Sequence, residues 1–300
     1  MGDRELTPER GFTLPDDTAL GSPCLARMFR DLARRTLVMA ILNVTPDSFS
    51  DGGRFSSPEE AAQAGARMAA DGADIIDVGG ESTRPGSDTV PEMEEIRRVV
   101  PVIEALAQVV DVPISVDTSR SAVADRALDA GASIINDVTG LVRDPELASV
   151  AAARRAPLII MHMKGTPRDM QHSPRYEDLV AEISSFLEAQ IAVAESRGLP
   201  REFTIVDPGF GFGKTPAHNL EMLRRLGEFA AVGRPLLIGT SRKSTLGAVL
   251  GGAGVTERLE ATAATVAITI ANGASIVRVH DVPEMVRVAR TADAVMSAGL

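Results

Sequence analysis

Eight short apolar runs, at 37–43, 75–79, 113–117, 133–137, 157–162, 203–207, 235–240 and 275–280, recur along the chain. Longer amphipathic stretches follow them, at 58–70, 91–109, 121–130, 146–153, 176–197, 217–229, 258–272 and 283–297. The runs are close to continuously apolar, as a strand covered on both faces must be. A strand followed each time by a helix implies parallel strands joined by right-handed crossovers. Eight such units over about 260 residues fit a closed (β/α)₈ TIM barrel, an α/β single domain at 35–300. An open doubly wound sheet is the competing arrangement, and it more often has about five to seven strands. Residues 1–34 lack sustained periodicity until roughly 26–33, and read as an N-terminal extension that ends in a short helix.

The placement of polar residues narrows the reading further. Asn43, Gly79 with Gly80, Asp117, Asn136 with Asp137, His162, Asp207, Ser241, and Arg278 with His280 all fall at the C-terminal ends of the runs. In a barrel these ends converge on one mouth, where active sites are built. A single polar residue at a strand end is usually a helix cap or turn former. Polar side chains at seven of the eight ends, with a glycine pair at the other, point to a functional site.

Composition sets limits on what that site meets. The formal charge of −10 excludes a general nucleic-acid binder, so cations for an anionic ligand must be concentrated locally. The lone Cys24 cannot form an internal bridge. There is no apolar leader, and no apolar run approaches the ~20 residues that cross a bilayer. The expectation is a cytoplasmic protein without membrane contact.

The first strand-end loop runs from Asn43 to Gly53 and includes Pro46, Asp51 and several hydroxyls. Asn43 and Asp51 are hard oxygen donors of the kind Mg²⁺ accepts beside phosphate oxygens, though an Asx-turn network is an equal reading. The second loop, Gly79-Gly-Glu-Ser-Thr-Arg-Pro-Gly86, offers Thr83 and Arg84 to an anion. Asp117 and Asp207, with Asn136 between them in strand order, suit a flat heterocycle carrying N–H and amino donors. Helix capping is the competing role for Asp117. The stretch Asp207-Pro-Gly-Phe-Gly-Phe-Gly-Lys-Thr215 is not a Walker A loop, because position 208 is proline where a glycine is required. Its alternate glycines predict a flexible loop that carries Phe212 over the mouth, with Phe210 packed beneath. Ser241-Arg-Lys-Ser244 brings hydroxyls and cations to a helix start, and Arg278 and His280 share one face of the last strand. Arg84, Lys243, Arg278 and His280 then supply the positive field for phosphate. His162 reads as structural, since no zinc spacing accompanies it.

These motifs, with Ser115-Val-Asp-Thr, Ile135-Asn-Asp-Val and Met161-His-Met, resemble in order the signatures of bacterial dihydropteroate synthases, from about 37 to 282. The resemblance implies a transferase of folate biosynthesis that joins 6-hydroxymethyl-7,8-dihydropterin diphosphate to p-aminobenzoate, releasing 7,8-dihydropteroate and diphosphate. It implies that Asp117, Asn136, Asp207 and Lys243 hold the pterin, and that Asn43, Arg278 and His280 hold the diphosphate, with Mg²⁺ near Asn43 and Asp51. Thr83, Pro85, Phe212, Lys243 and Ser244 would form the p-aminobenzoate pocket. Asp117, Lys243, Asp51 and Arg84 are the residues it marks as catalytic. It further implies a homodimer through the last helices, where 260–271 is rich in Ala and Val, and competition by sulfonamides. A corrinoid-dependent pterin methyltransferase shares the acids but has no need of the Ser241-Arg-Lys and Arg278-Val-His cations. A catalytically silent pterin-binding paralogue is the remaining alternative.

Overall fold

The structure is a computed structural model that describes residues 11–16, 19–45, 55, 57–82, 87 and 89–298. Eight parallel strands form a single sheet: β1 (Leu37–Asn43), β2 (Ile75–Gly79), β3 (Ile114–Asp117), β4 (Ile134–Asp137), β5 (Leu158–Met161), β6 (Thr204–Asp207), β7 (Leu237–Ile238) and β8 (Ile276–Val279). Their order runs β6-β5-β4-β3-β2-β1-β8-β7. A parallel bridge between Val206 and Leu236 joins the two ends, supported by the Val206 N–H donating to the Pro235 carbonyl at 3.0 Å. The sheet is therefore a closed barrel. Regular pairing in β7 covers two residues where the apolar run predicts six, and Pro235 at its start has no N–H to give to a neighbour.

Ten helices accompany the strands among the described residues: α1 (Pro23–Leu32), α2 (Pro58–Ala70), α3 (Glu92–Ala107), α4 (Ser121–Asp129), α5 (Glu146–Arg154), α6 (Leu179–Ser196), α7 (Pro216–Arg224), α8 (Ser244–Val249), α9 (Leu259–Ala271) and α10 (Val282–Ser297). Local chemistry sets several starts. Ser22, Ser57 and Thr215 each cap a helix whose first residue is proline, where the missing N–H costs nothing. Asp178 accepts from the N–H groups of Val180 and Ala181, so α6 starts at Leu179 and leaves Tyr176 outside the helix. The helix predicted over 217–229 divides into α7 and a 3₁₀ segment, Leu226–Val232, that contains the poor helix former Gly227.

The strands are buried on both faces, and the core runs without a break from the barrel interior to the inner faces of the helices. The N-terminal segment joins it. Leu25, Met28, Phe29 and Leu32 on α1 are buried in the same cluster, and so is Leu20. Arg27 donates to the Asp111 carbonyl just before β3, and Arg35 pairs with Asp74 just before β2. Arg234, itself buried, donates to the Thr13 carbonyl. These contacts lie at the N-terminal ends of the strands, so α1 covers the floor of the barrel. The stretch that lacks clear periodicity in sequence is, from Leu20 onward, part of the packed core.

Phe29→Ala removes a fully buried ring from that floor. Equilibrium urea unfolding of the variant should show a loss of about 3–5 kcal/mol, as for other buried phenylalanine truncations. A loss below about 1 kcal/mol would mean that α1 is not packed as described.

Candidate active site

The strand register lines up the polar ends. Asn43 pairs with Gly79, Gly79 with Asp117, and Asp117 with Asn136, which gives a continuous row across four strands at the C-terminal mouth. Gly79 leaves the centre of this row open: a Cβ there would come within 3.6 Å of both Asn43 Oδ1 and Asp117 Oδ2. One layer below lies Asp77, fully buried.

Arg278 binds this row together. Its Nε donates to Asp77 Oδ2 at 2.6 Å and its Nη2 to Asp117 Oδ2 at 2.8 Å. Asn136 Nδ2 donates to the same Asp77 oxygen at 3.0 Å. Among the described residues, Asp77 Oδ1 and Ser115 Oγ are the buried side-chain oxygens without a hydrogen-bond partner. Burial opposes the charge on Arg278, but Asp77 and Asp117 more than offset it and raise its pKa above the ordinary value. Burial raises Asp117, Arg278 opposes that rise only in part, and the neighbouring acids, Asp77 first, add to it. Asp117 does not cap α4. Thr118 Oγ1 accepts the Arg120 N–H, and Asp144 Oδ2 accepts the Ser121 N–H. Asp137 has a local role, ordering the following turn through the N–H groups of Thr139 and Leu141, so Asn136 is the member of that pair aimed at the site.

Asp207 stands across the mouth at the end of β6. Burial pushes its carboxyl up to about 6, against the Gly209 N–H, which donates to Oδ1 at 2.7 Å, and the Lys243 charge. Lys243 Nζ lies 4.0 Å from the centre of the Phe212 ring. It immediately precedes α8, whose first residue, Ser244, is exposed. Arg242 points elsewhere. It holds a left-handed backbone conformation (φ 58°) and pairs with Asp281, so Lys243 is the cation of that motif next to Asp207.

His280 departs from the cation predicted at its position. Burial and then Arg278 pull its pKa down to about 3, leaving a neutral ring. The Ser241 hydroxyl accepts the His280 backbone N–H at 3.1 Å and lies 3.0 Å from Nδ1. This pair fixes the orientation of the imidazole at the mouth. His280 thus contributes a neutral ring, able to hydrogen-bond but carrying no charge. The positive field among the described residues comes from Arg278 and Lys243.

The glycine-rich loop is also not the flexible element that its composition predicts. The Gly211 carbonyl accepts from Gln171 at 2.7 Å, the Gly213 carbonyl from Tyr176 at 2.8 Å, and the Gly211 N–H donates to Asn219 Oδ1 at 2.8 Å. Its glycines are needed for close approach: a Cβ on Gly209 would lie 1.9 Å from the His162 carbonyl, at φ +74°. Phe210 is buried beneath the loop, as its spacing predicts. Asp51, Thr83, Arg84 and Pro85 lie outside the described residues. The flanks of the second loop are anchored. Arg98 donates to the Gly80 carbonyl, and Arg120 engages Glu81, the Val90 carbonyl and the buried Glu95. Sequence patterns give no sign of Glu95, whose position on α3 reads as one more acidic residue of a helix face.

The profile of the pterin binding enzymes matches residues 39–280. A Synechocystis protein named dihydropteroate synthase is 48% identical over 264 residues, spanning 88% of this chain and 91% of that one. The chain belongs to the dihydropteroate synthase family. The Bacillus subtilis dihydropteroate synthase is 47% identical over 265 residues, covering 88% of this chain and 90% of its own. Among solved members of the family, Yersinia pestis dihydropteroate synthase in a sulfonamide drug complex superposes with a TM-score of 0.85 at 47% identity. That match covers 89% of this chain and 96% of the other. Xanthomonas albilineans dihydropteroate synthase with 4-aminobenzoic acid gives 0.82 at 43% identity, over 88% and 94% of the two chains. For a dihydropteroate synthase the mouth is the expected site, and Asp117, Asn136, Asp207, Lys243, Phe212, Arg278 and His280 all come to it. Asp77 joins them from one layer below, through Arg278 and Asn136, and is not among the site residues that the sequence singles out.

The raised Asp207 fixes a pH dependence. A carboxyl whose folded pKa exceeds its unfolded value adds stability below about 4, and that part is lost as pH rises through about 6. The unfolding free energy of Asp207→Asn relative to the parent should therefore grow in favour of the variant between these limits, by at most about 3 kcal/mol. Urea titrations at a series of pH values measure it, and a flat difference would contradict the raised carboxyl.

Proposed function

We propose that the chain condenses 6-hydroxymethyl-7,8-dihydropterin diphosphate with p-aminobenzoate to give 7,8-dihydropteroate and diphosphate, the transfer step its family performs in folate biosynthesis. The observation that carries the reading is the direct contact of Arg278 with Asp117, which makes the heterocycle acids and the phosphate cation one continuous site. The Xanthomonas albilineans relative solved with 7,8-dihydropteroate, at a TM-score of 0.79 and 40% identity, supports it.

In this reading the pterin N–H and amino groups face Asp117, Asn136 and Asp207, with Lys243 closing the slot beside Asp207. The diphosphate lies toward Asn43, Arg278 and the His280 ring. The amide oxygen of Asn43 and the carboxylate of Asp51 are a donor set that suits Mg²⁺, completed by phosphate oxygens. When bound, the ion would neutralise charge on the leaving group. The p-aminobenzoate sits against Phe212 and Lys243 with Thr83 and Pro85, its carboxylate toward Ser244. Arg84 adds positive charge from the second loop.

The reaction follows from these positions. The C–O bond to the diphosphate breaks and the electron pair leaves with the diphosphate, whose charge Arg278 offsets while the neutral His280 ring offers it a hydrogen bond. The pterin methylene is left cationic, and the neighbouring Asp117–Asp77 charge stabilises it. The neutral aniline nitrogen attacks with its lone pair and then gives up a proton to released diphosphate or solvent. Near pH 7 that amine is already unprotonated, so no protein base is needed to activate it.

A two-substrate assay of diphosphate release tests the assignment. Lys243→Ala and Asp117→Asn should each lower kcat/KM by at least about a hundredfold, or ~2.7 kcal/mol. Activities within about threefold of the parent would overturn it. Removal of Mg²⁺ by chelation should weaken pterin diphosphate binding in calorimetry.

The same reading includes a homodimer. Between α9 and α10 runs an apolar groove of about 680 Å³, lined by Ala263, Ala267, Val288, Ala292 and Val295. Ile268, Val295 and Met296 are exposed nearby. A patch of this kind on two copies pairs by a two-fold axis. Ala267→Arg should shift the chain to a monomer in sedimentation, and an unchanged sedimentation coefficient would place the contact elsewhere.

A further inference from the structure

Lys214 is 1% exposed, and the chemistry above makes no use of it. Its ammonium has three protons, and three acceptors meet them: the Gly209 carbonyl at 3.0 Å, the Phe212 carbonyl at 3.1 Å and His162 Nδ1 at 3.0 Å. For Nδ1 to accept, the ring must be neutral with its proton on Nε2, and burial and the Lys214 charge do lower the His162 pKa. Burial pulls Lys214 itself down to about 7, opposed by the Asp207 carboxylate, so this lysine is held at a considerable desolvation cost.

What that cost secures is visible in the loop. The Gly209 carbonyl that Lys214 engages also accepts the Phe212 N–H at 3.1 Å, and the Gly209 N–H holds Asp207. The Phe212 ring, fixed at its own carbonyl, then stands 4.0 Å from Lys243 Nζ. His162 is itself immobilised, edge-on to Phe186 with ring centres 5.0 Å apart. A lysine beneath the loop thereby sets where an aromatic ring above it stands.

We propose that Lys214 is a positioning residue: by clamping the Gly209 and Phe212 carbonyls against His162, it presents the Phe212 ring beside Lys243 and shapes the arylamine side of the site without touching either substrate. The proposal rests on the reading of Phe212 as part of the p-aminobenzoate pocket. Without the buried ammonium the Phe212 carbonyl and His162 Nδ1 would lose this donor in the interior and the Gly209 carbonyl would keep only the Phe212 N–H, and the ring would move as the loop relaxed.

Four variants of the full chain test it: Lys214→Met, which keeps length but no donor, Lys214→Gln, which keeps two N–H donors, Phe212→Leu, and Phe212→Leu combined with Lys214→Met. Calorimetry gives the affinity for pterin diphosphate and reports an intact slot, while diphosphate release gives KM and kcat for p-aminobenzoate. Lys214→Met should raise that KM by about tenfold or more with pterin diphosphate affinity within about threefold of the parent, and Lys214→Gln should fall between them. In the Phe212→Leu background the Met substitution should add less than about threefold, since both act through one ring. An unchanged KM in Lys214→Met, full additivity in the double variant, or equal losses of both substrates would overturn the proposal. If Lys214→Met does not fold, Lys214→Gln with and without Phe212→Leu takes its place, under the same criteria. Phe212→Leu alone separates the two readings. If it leaves KM unchanged, the pocket assignment fails and takes the proposal with it; if it raises KM while the Lys214 variants do not, only the role of Lys214 fails.

Discussion

One guanidinium shared by two carboxylates governs the mouth of this barrel. Asp77 and Asp117 lie in a layer where water is largely excluded, and neighbouring carboxyls buried there call for a cationic partner. Arg278 supplies it, at 2.6 Å and 2.8 Å, and is in turn kept charged by them. Remove Arg278 and two buried carboxyls would face each other without a counter-charge; remove the acids and an uncompensated cation would remain in the core. Asn136, bonded to Asp77, and the open space over Gly79 take their places around that group. Across the mouth, Lys243 and the Gly209 N–H perform the corresponding service for Asp207. An acidic protein thus holds its positive charge at the point where its buried acids require it and where a phosphate would meet it.

Strand-helix alternation is a local property of sequence, and it was enough to give the barrel and the place of its mouth. Asn43, Asp117, Asn136, Asp207 and Arg278 were legible because each interrupts an apolar run at its end. Asp77 was not, because it lies inside its run and one charged residue in a strand carries no positional signal. Glu95 escaped for the opposite reason, since a glutamate on a helix is ordinary until packing buries it. The neutral state of His280 depends on Arg278 and on burial, neither of which is sequence-local. The glycine-rich loop misled because glycine is read as freedom. Here it answers a shortage of space beside the His162 carbonyl, and side chains from 171, 176, 214 and 219 supply the restraint.

Behind the mouth, a second layer of buried charge holds the scaffold. Glu95, whose pKa burial raises against the Thr118 hydroxyl and Arg120, ties α3 to the end of β3. Arg120 extends that tie to Glu81 and the Val90 carbonyl on either side of the second loop. The loop that would bring Thr83, Arg84 and Pro85 to the substrates therefore springs from fixed points.

The helix that covers the barrel floor divides the molecule's labour. Phe29 and its neighbours seal the end of the cylinder farthest from the reactive groups, so the hydrophobic closure of one end never competes for space with the polar chemistry of the other. Changes in packing at the base can adjust how firmly the cylinder holds together while the rim keeps its geometry. The rim, conversely, carries its buried charges at the far end of a cylinder whose apolar core is continuous with that floor.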